Sequence, residues 1–107
     1  MSRDPGPVFG ALADPTRRTL LSAIGDGRSA TATELAASLP ITRQAVVKHL
    51  AALADAGLVE GSRSGREVRY RLTPEPLSEA VSWIAEVGGQ WDQRLASLSA
   101  QLGEMPK

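Results

Sequence analysis

Four polar residues, Thr42, Arg43, Gln44 and Lys48, crowd the first half of a stretch whose apolar residues, Val46, Leu50 and Leu53, recur at helical spacing. At about 100° per residue, Gln44, Lys48 and Ala51 point directly away from that stripe. Arg43 and Val47 flank it on one side and His49 lies at its other edge. Arginine and glutamine both form paired hydrogen bonds to purine edges, and Val47 offers an apolar contact suited to a thymine methyl. The free amides and dipole of a helix start favour phosphate at the same end. Ala51, Ala52 and Ala54 are small enough to let such a helix approach a partner closely. Three more cations, Arg63, Arg66 and Arg69, follow in a stretch of different periodicity. These residues are suited to reading a duplex.

Other chemistries have too few groups. The sequence has no cysteine, hence no thiolate nucleophile, disulfide or sulfur-ligated zinc, and its single histidine, His49, cannot build a multi-histidine metal cluster within one chain. No Gly-x-Ser-x-Gly elbow and no glycine-rich phosphate loop accompany it, so no catalytic constellation can be assembled. We expect neither metal nor cofactor, and we read His49 as a core or capping residue.

The candidate residues need elements to hold them. Residues 1–7, with two prolines and a glycine, read as a flexible arm, followed by one apolar turn of helix at Val8, Phe9 and Leu12. Asp14 before Pro15 is a helix start, because aspartate caps free amides and proline at the first position forfeits no hydrogen bond. That helix carries Leu20, Leu21 and Ile24 and stops at Gly25-Asp26-Gly27. Thr31-Ala-Thr-Glu34 is a capping box opening a helix of about two turns, with Leu35 and Leu39 inward and Pro40 as its stop. Thr42 then caps the helix of Val46, Leu50 and Leu53, which runs to about Ala56 and is terminated by Gly57. From Leu58 to Leu72 the pattern turns extended around Ser64-Gly65, with Val68, Tyr70 and Leu72 on one face and Glu67, Arg69 and Arg71 on the other, a small β-hairpin. A long last helix over 74–102 carries Leu77, Val81, Ile84, Trp91, Leu95, Leu98 and Leu102 in a heptad seam whose gap is Gly88. One small core cannot cover such a seam, so part of it is expected to meet another chain. The glycine pair 88–89 predicts a kink or a close backbone contact.

The whole is 107 residues, one domain's worth, and 42% apolar with 22% charged residues, the composition of a globular protein. Net charge is zero, but residues 41–72 carry six bases against three acids and residues 73–107 five acids against two bases. A basic middle and an acidic tail suggest two separate jobs. No apolar run reaches the ~18 residues of a membrane span and the first residues lack a signal-peptide core, so the expected compartment is the cytoplasm.

Two short helices joined by a tight turn, the second with a polar face, followed by an arginine-rich hairpin, form the order of a winged helix-turn-helix. Ala13-Asp-Pro-Thr-Arg-Arg18, Glu34-Leu-Ala36, Arg43-Gln-Ala-Val-Val-Lys-His-Leu50, Leu53-Ala-Asp-Ala-Gly-Leu-Val59 and Gly65-Arg-Glu-Val-Arg-Tyr70 resemble successive signatures of the ArsR/SmtB transcriptional repressors. The resemblance spans about residues 8–102. It implies a homodimer joined through the first and last helices, with Thr42 to Lys48 on the reading face. Metal-sensing members resemble one another in cysteines near the helix-turn-helix or His and Asp clusters on the last helix. Here Glu34-Leu-Ala-Ala-Ser38 and a histidine-free last helix stand in those places, and the tail, with Trp83 and Trp91-Asp-Gln-Arg-Leu95, is more similar to a metal-free branch.

The expectation is therefore a mainly α protein with a small β-hairpin: 31–56 the helix-turn-helix, 58–72 the wing and 74–102 the dimerisation helix of a single 1–107 domain. Thr42, Arg43, Gln44, Val47, Lys48, Arg63, Arg66 and Arg69 would meet double-stranded DNA. Val8, Phe9, Leu12, Leu77, Val81, Ile84, Trp91, Leu95 and Leu98 would meet a second copy, with Trp83 at that interface or in the core. The function expected is a homodimeric repressor reading an inverted repeat. Two alternatives remain: a winged helix used for protein or RNA contact, and a repressor with a small-molecule site between the last helices, for which these residues name no inducer. No membrane partner is expected.

Overall fold

The Asp14 carboxylate accepts hydrogen bonds from the backbone N–H groups of Thr16 at 2.7 Å and Arg17 at 3.3 Å, and the helix that it caps anchors the fold. The structure, a computed structural model, describes residues 4–25 and 27–103, with side chains as far as residue 100. The first three residues of the expected arm, Asp26 of the helix stop and the Leu102 side chain lie outside the described residues. In chain order the elements are α1 (Gly6–Leu12), α2 (Pro15–Ile24), β1 (Ser29–Thr31), α3 (Ala32–Ala37), α4 (Arg43–Asp55), β2 (Val59–Ser64), β3 (Glu67–Leu72) and α5 (Pro74–Gly103). α1 takes in Gly6 and Pro7 of the expected arm, since proline is tolerated in a first turn.

The helix-turn-helix is built on caps. Thr31 accepts from the Glu34 N–H at 3.0 Å while Glu34 Oε1 accepts from the Thr31 N–H at 2.8 Å, a closed capping box that starts α3. Thr42 Oγ1 accepts from the Ala45 N–H at 3.1 Å and starts α4. α4 ends at Gly57, whose φ of 78° is the left-handed conformation that glycine adopts without a Cβ penalty. Val46, Leu50 and Leu53 on α4 are wholly buried, together with Leu20 and Ile24 of α2 and Leu58 at the foot of the hairpin. Each such side chain contributes roughly 1.5–3 kcal/mol on leaving water.

The sheet has three antiparallel strands, in the order β1-β3-β2, rather than the two of a bare hairpin. β1 pairs Ser29 with Arg71, Ala30 with Tyr70 and Thr31 with Arg69. It escapes sequence reading because it is three residues long and its last residue is also the cap of α3. β2 and β3 pair from Val59–Leu72 to Ser64–Glu67, leaving the two-residue turn Gly65-Arg66. Gly65 has a φ of 62°, the glycine-first pattern of a type II′ turn, and the turn puts Arg66 at the tip.

The apolar seam of α5 divides. Leu77 packs on the core and Ala80 is buried, but Val81, Ile84, Trp91, Leu95 and Leu98 are between 51% and 62% exposed. α5 packs against α1, where the Phe9 and Trp83 rings meet edge to face at 5.6 Å, and then projects beyond the domain. The radius of gyration is 19.4 Å, against about 13 Å for a compact chain of this length. The helix is unbroken through Gly88 and Gly89, and nothing in the protomer lies within 4 Å of where a Cβ would stand on either. Val8 departs from expectation: it is 4% exposed and lies in the core of its own chain rather than on an outer face. Phe9 and Leu12 are half-buried against the same core.

Candidate nucleic-acid interface

α4 and the hairpin form the two walls of an open groove, floored by the start of α3. Arg43 and Val47 line it from α4, and Arg63, Arg66, Val68 and Tyr70 from the hairpin. The register explains the second wall: Arg63 pairs with Val68 and Gly61 with Tyr70, so these residues share one face of the sheet. A Cβ on Gly61 would stand 3.2 Å from both the Tyr70 ring and the Val68 side chain, so the absence of one lets the ring lie across the strand.

Thr42, Arg43, Gln44, Val47 and Lys48 are all exposed on one half of α4. Among the described residues, the side chains of Gln44, Lys48, Arg63 and Arg66 have no hydrogen-bond or ion-pair partner. Burying an unpaired cation is costly and these remain in water, where they are free to meet an anionic partner. Two other members are engaged. Thr42 spends its oxygen as the α4 cap, although its O–H can still donate. Arg43 Nε donates to Thr33 Oγ1 at 3.1 Å, which steers its guanidinium along the groove.

Arg69 differs from the other cations. It lies on the opposite face of β3 and all three of its nitrogens bond within the chain: Nε to Ser29 Oγ at 2.9 Å, one terminal nitrogen to the Ser29 carbonyl at 3.2 Å and Glu34 Oε1 at 3.0 Å, and the other to Glu67 Oε2 at 3.4 Å. Glu34 is held below the usual carboxylate range chiefly by the Thr31 N–H; desolvation opposes this and the Arg69 charge reinforces it. Desolvation pushes the Asp14 carboxyl up, but the Thr16 and Arg17 N–H groups, with the His49 and Arg17 charges, outweigh it and leave its pKa lowered.

Sequence reasoning missed Thr33, Ser29 and Tyr70 as parts of this region. Thr33 and Ser29 had no signal, since each matters only through an arginine distant in sequence. Tyr70 had one, because it shares a strand face with Val68. Among the described residues, no three His, Asp or Glu side chains gather as a metal site, and no helix is long and apolar enough to cross a membrane.

A family profile described as a helix-turn-helix domain matches residues 12–62. The chain is 39% identical to an ArsR-like transcriptional regulator from Rhodococcus sp. RHA1 of known structure, with a TM-score of 0.81 over 94% of each chain. It is 30% identical to the arsenic resistance transcriptional regulator ArsR1 of Pseudomonas putida, over 96% of this chain and 83% of that protein. The chain belongs to the ArsR family of winged helix-turn-helix transcriptional regulators. It is also 43% identical to the transcriptional regulator CmtR of Mycobacterium tuberculosis, over 72% of this chain and 64% of CmtR. The groove lies between α4 and the β2–β3 hairpin, the elements that the sequence predicts as the second helix and the wing.

Proposed function

We propose that this chain is a cytoplasmic, non-enzymatic repressor that binds double-stranded DNA as a homodimer. The observation that carries the proposal is the set of exposed, unpartnered cations on two neighbouring elements: Lys48 on α4, and Arg63 and Arg66 on the wing wall of the groove. In this reading α4 enters the major groove, with Arg43, Gln44 and Val47 on base edges and Thr42 and Lys48 on phosphate, while Arg63 and Arg66 follow the backbone.

The second copy is supported by the α5 stripe. Val81, Ile84, Trp91, Leu95 and Leu98 form an apolar face that the protomer leaves in water, flanked at its base by the half-buried Phe9, Leu12 and Leu77. A two-fold pairing of that face carries two α4 helices, and the site is then an inverted repeat with half-sites about one helical turn apart. Metal sensing does not carry over from CmtR, whose solved structure is described as that of a cadmium metal-sensor. A thiophilic ion needs thiolate or imidazole donors, and this sequence has no cysteine and one histidine. We therefore read the chain as having no metal or cofactor of its own. The test is fluorescence anisotropy on the promoter duplex upstream of the chain's own gene against mixed-sequence DNA. Preferential binding of the promoter supports this function, and absence of duplex binding contradicts it.

A further inference from the structure

β3 presents Arg69 where a solvated charge would be expected, yet four bonds hold it. Its partners come from three places: Ser29 in β1, Glu34 in α3 and Glu67 in its own strand. Glu34 Oε1 is shared, accepting from the Thr31 N–H at 2.8 Å and from Arg69 at 3.0 Å. One carboxylate oxygen thus closes the capping box of α3 and ties the wing to the helix-turn-helix. The charges around it matter too. Arg69 stands between two carboxylates, so the cluster carries a net negative charge, a poor seat for phosphate. Glu34 and Glu67 also line the groove that Arg43, Arg63 and Arg66 border.

We propose that Arg69 is a positioning residue rather than a DNA contact: with Glu34 it forms a latch that fixes the wing, and with it Arg63 and Arg66, in place across from α4. The latch uses what lysine lacks. A guanidinium reaches several acceptors in a rigid fork, whereas an ammonium is a point charge that satisfies a phosphate but cannot span Ser29, Glu34 and Glu67 together. The inference rests on the DNA-binding reading above.

Glu34→Gln separates the two roles by sign. Glutamine still serves in a capping box, so α3 keeps its start, but the wing loses its charged anchor. Removing a negative charge from the groove would by itself tighten DNA binding; loosening the wing weakens it. The experiment measures affinity for a mixed-sequence duplex over a series of salt concentrations, for the wild type, Glu34→Gln, Arg69→Lys and Arg66→Ala, with circular dichroism confirming that each is folded. The latch predicts that Glu34→Gln and Arg69→Lys each bind roughly tenfold more weakly with the salt slope unchanged. Arg66→Ala, a contact residue, lowers the slope by about one per protomer. Tighter binding by Glu34→Gln, or wild-type binding by Arg69→Lys, overturns the latch and leaves DNA binding standing. A wild type that binds no duplex overturns both. Should Arg69→Lys fail to fold, Glu34→Gln alone decides, because the sign of its effect does not depend on the other variant.

Discussion

Arg17 Nε donates to His49 Nδ1 at 3.4 Å, joining the first turn of α2 to the middle of α4. The lone histidine is thereby placed as a link between helices, near the Asp14 carboxyl. Accepting at Nδ1 puts the ring proton on Nε2. His49→Leu removes the acceptor and leaves Arg17 without it, at an expected cost of about 1 kcal/mol in urea unfolding. Because His49 lies away from the exposed half of α4, affinity for mixed-sequence DNA should be unchanged.

The exposed stripe on α5 gives a prediction about assembly. Trp91 is 56% and Leu95 53% exposed in the protomer, so a charge there disturbs no core of its own chain. Trp91→Glu and Leu95→Glu should therefore yield folded monomers, with light-scattering masses near 11.3 kDa and an intact far-ultraviolet spectrum, while the wild type runs at twice that mass. A wild-type monomer at micromolar concentration would remove the stripe's role.

Much of this architecture was legible because its signals are local. Asp14, Thr31 and Thr42 declare helix starts by residue type, Gly57 declares a stop, and the spacing of Val46, Leu50 and Leu53 gives the buried face of α4. What was not legible depends on distant partners. β1 is too short to show a period and exists because β3 pairs with it some 40 residues later. The bonds of Arg69 follow from that pairing, so the strand pattern alone places it among the cations expected to meet DNA. The α5 seam has one sequence pattern but two environments, because Leu77 and Ala80 turn onto the core and the later residues pass beyond it. Val8 shares its type with Phe9 and Leu12, and only the packing of α1 distinguishes the buried residue from its half-buried neighbours.

The lowered carboxyls of Asp14 and Glu34 make the fold sensitive to acid. A carboxyl whose folded pKa lies below its unfolded one contributes stability that is fully present above the unfolded value, about pH 4, and is lost as pH falls through the folded value. As these two carboxyls take up protons below about pH 5, denaturant midpoints should drop. The difference between wild type and Glu34→Gln should shrink over the same acid range as the wild-type carboxyl takes up its proton. A difference that persists undiminished at acid pH would mean that Glu34 does not act through its charge.

Gln44 and Arg66 should fail in different ways. If Gln44 meets an adenine edge, as in the proposed reading, Gln44→Ala should cost about 1–3 kcal/mol on the cognate site, with little effect on unrelated DNA. Arg66→Ala should weaken all duplexes alike. Equal proportional losses on cognate and random DNA for both variants would show that α4 and the wing do not divide the work.

The most direct measurement of the central claim is a stoichiometric titration of the promoter duplex with the wild-type chain, repeated with a duplex in which one half of the inverted repeat is scrambled. Two chains per intact site should bind together, and scrambling should weaken binding by at least the roughly 1–3 kcal/mol of a single lost base contact. One chain per site, or equal affinity for intact and scrambled duplexes, would contradict a two-fold reader that places α4 in the major groove.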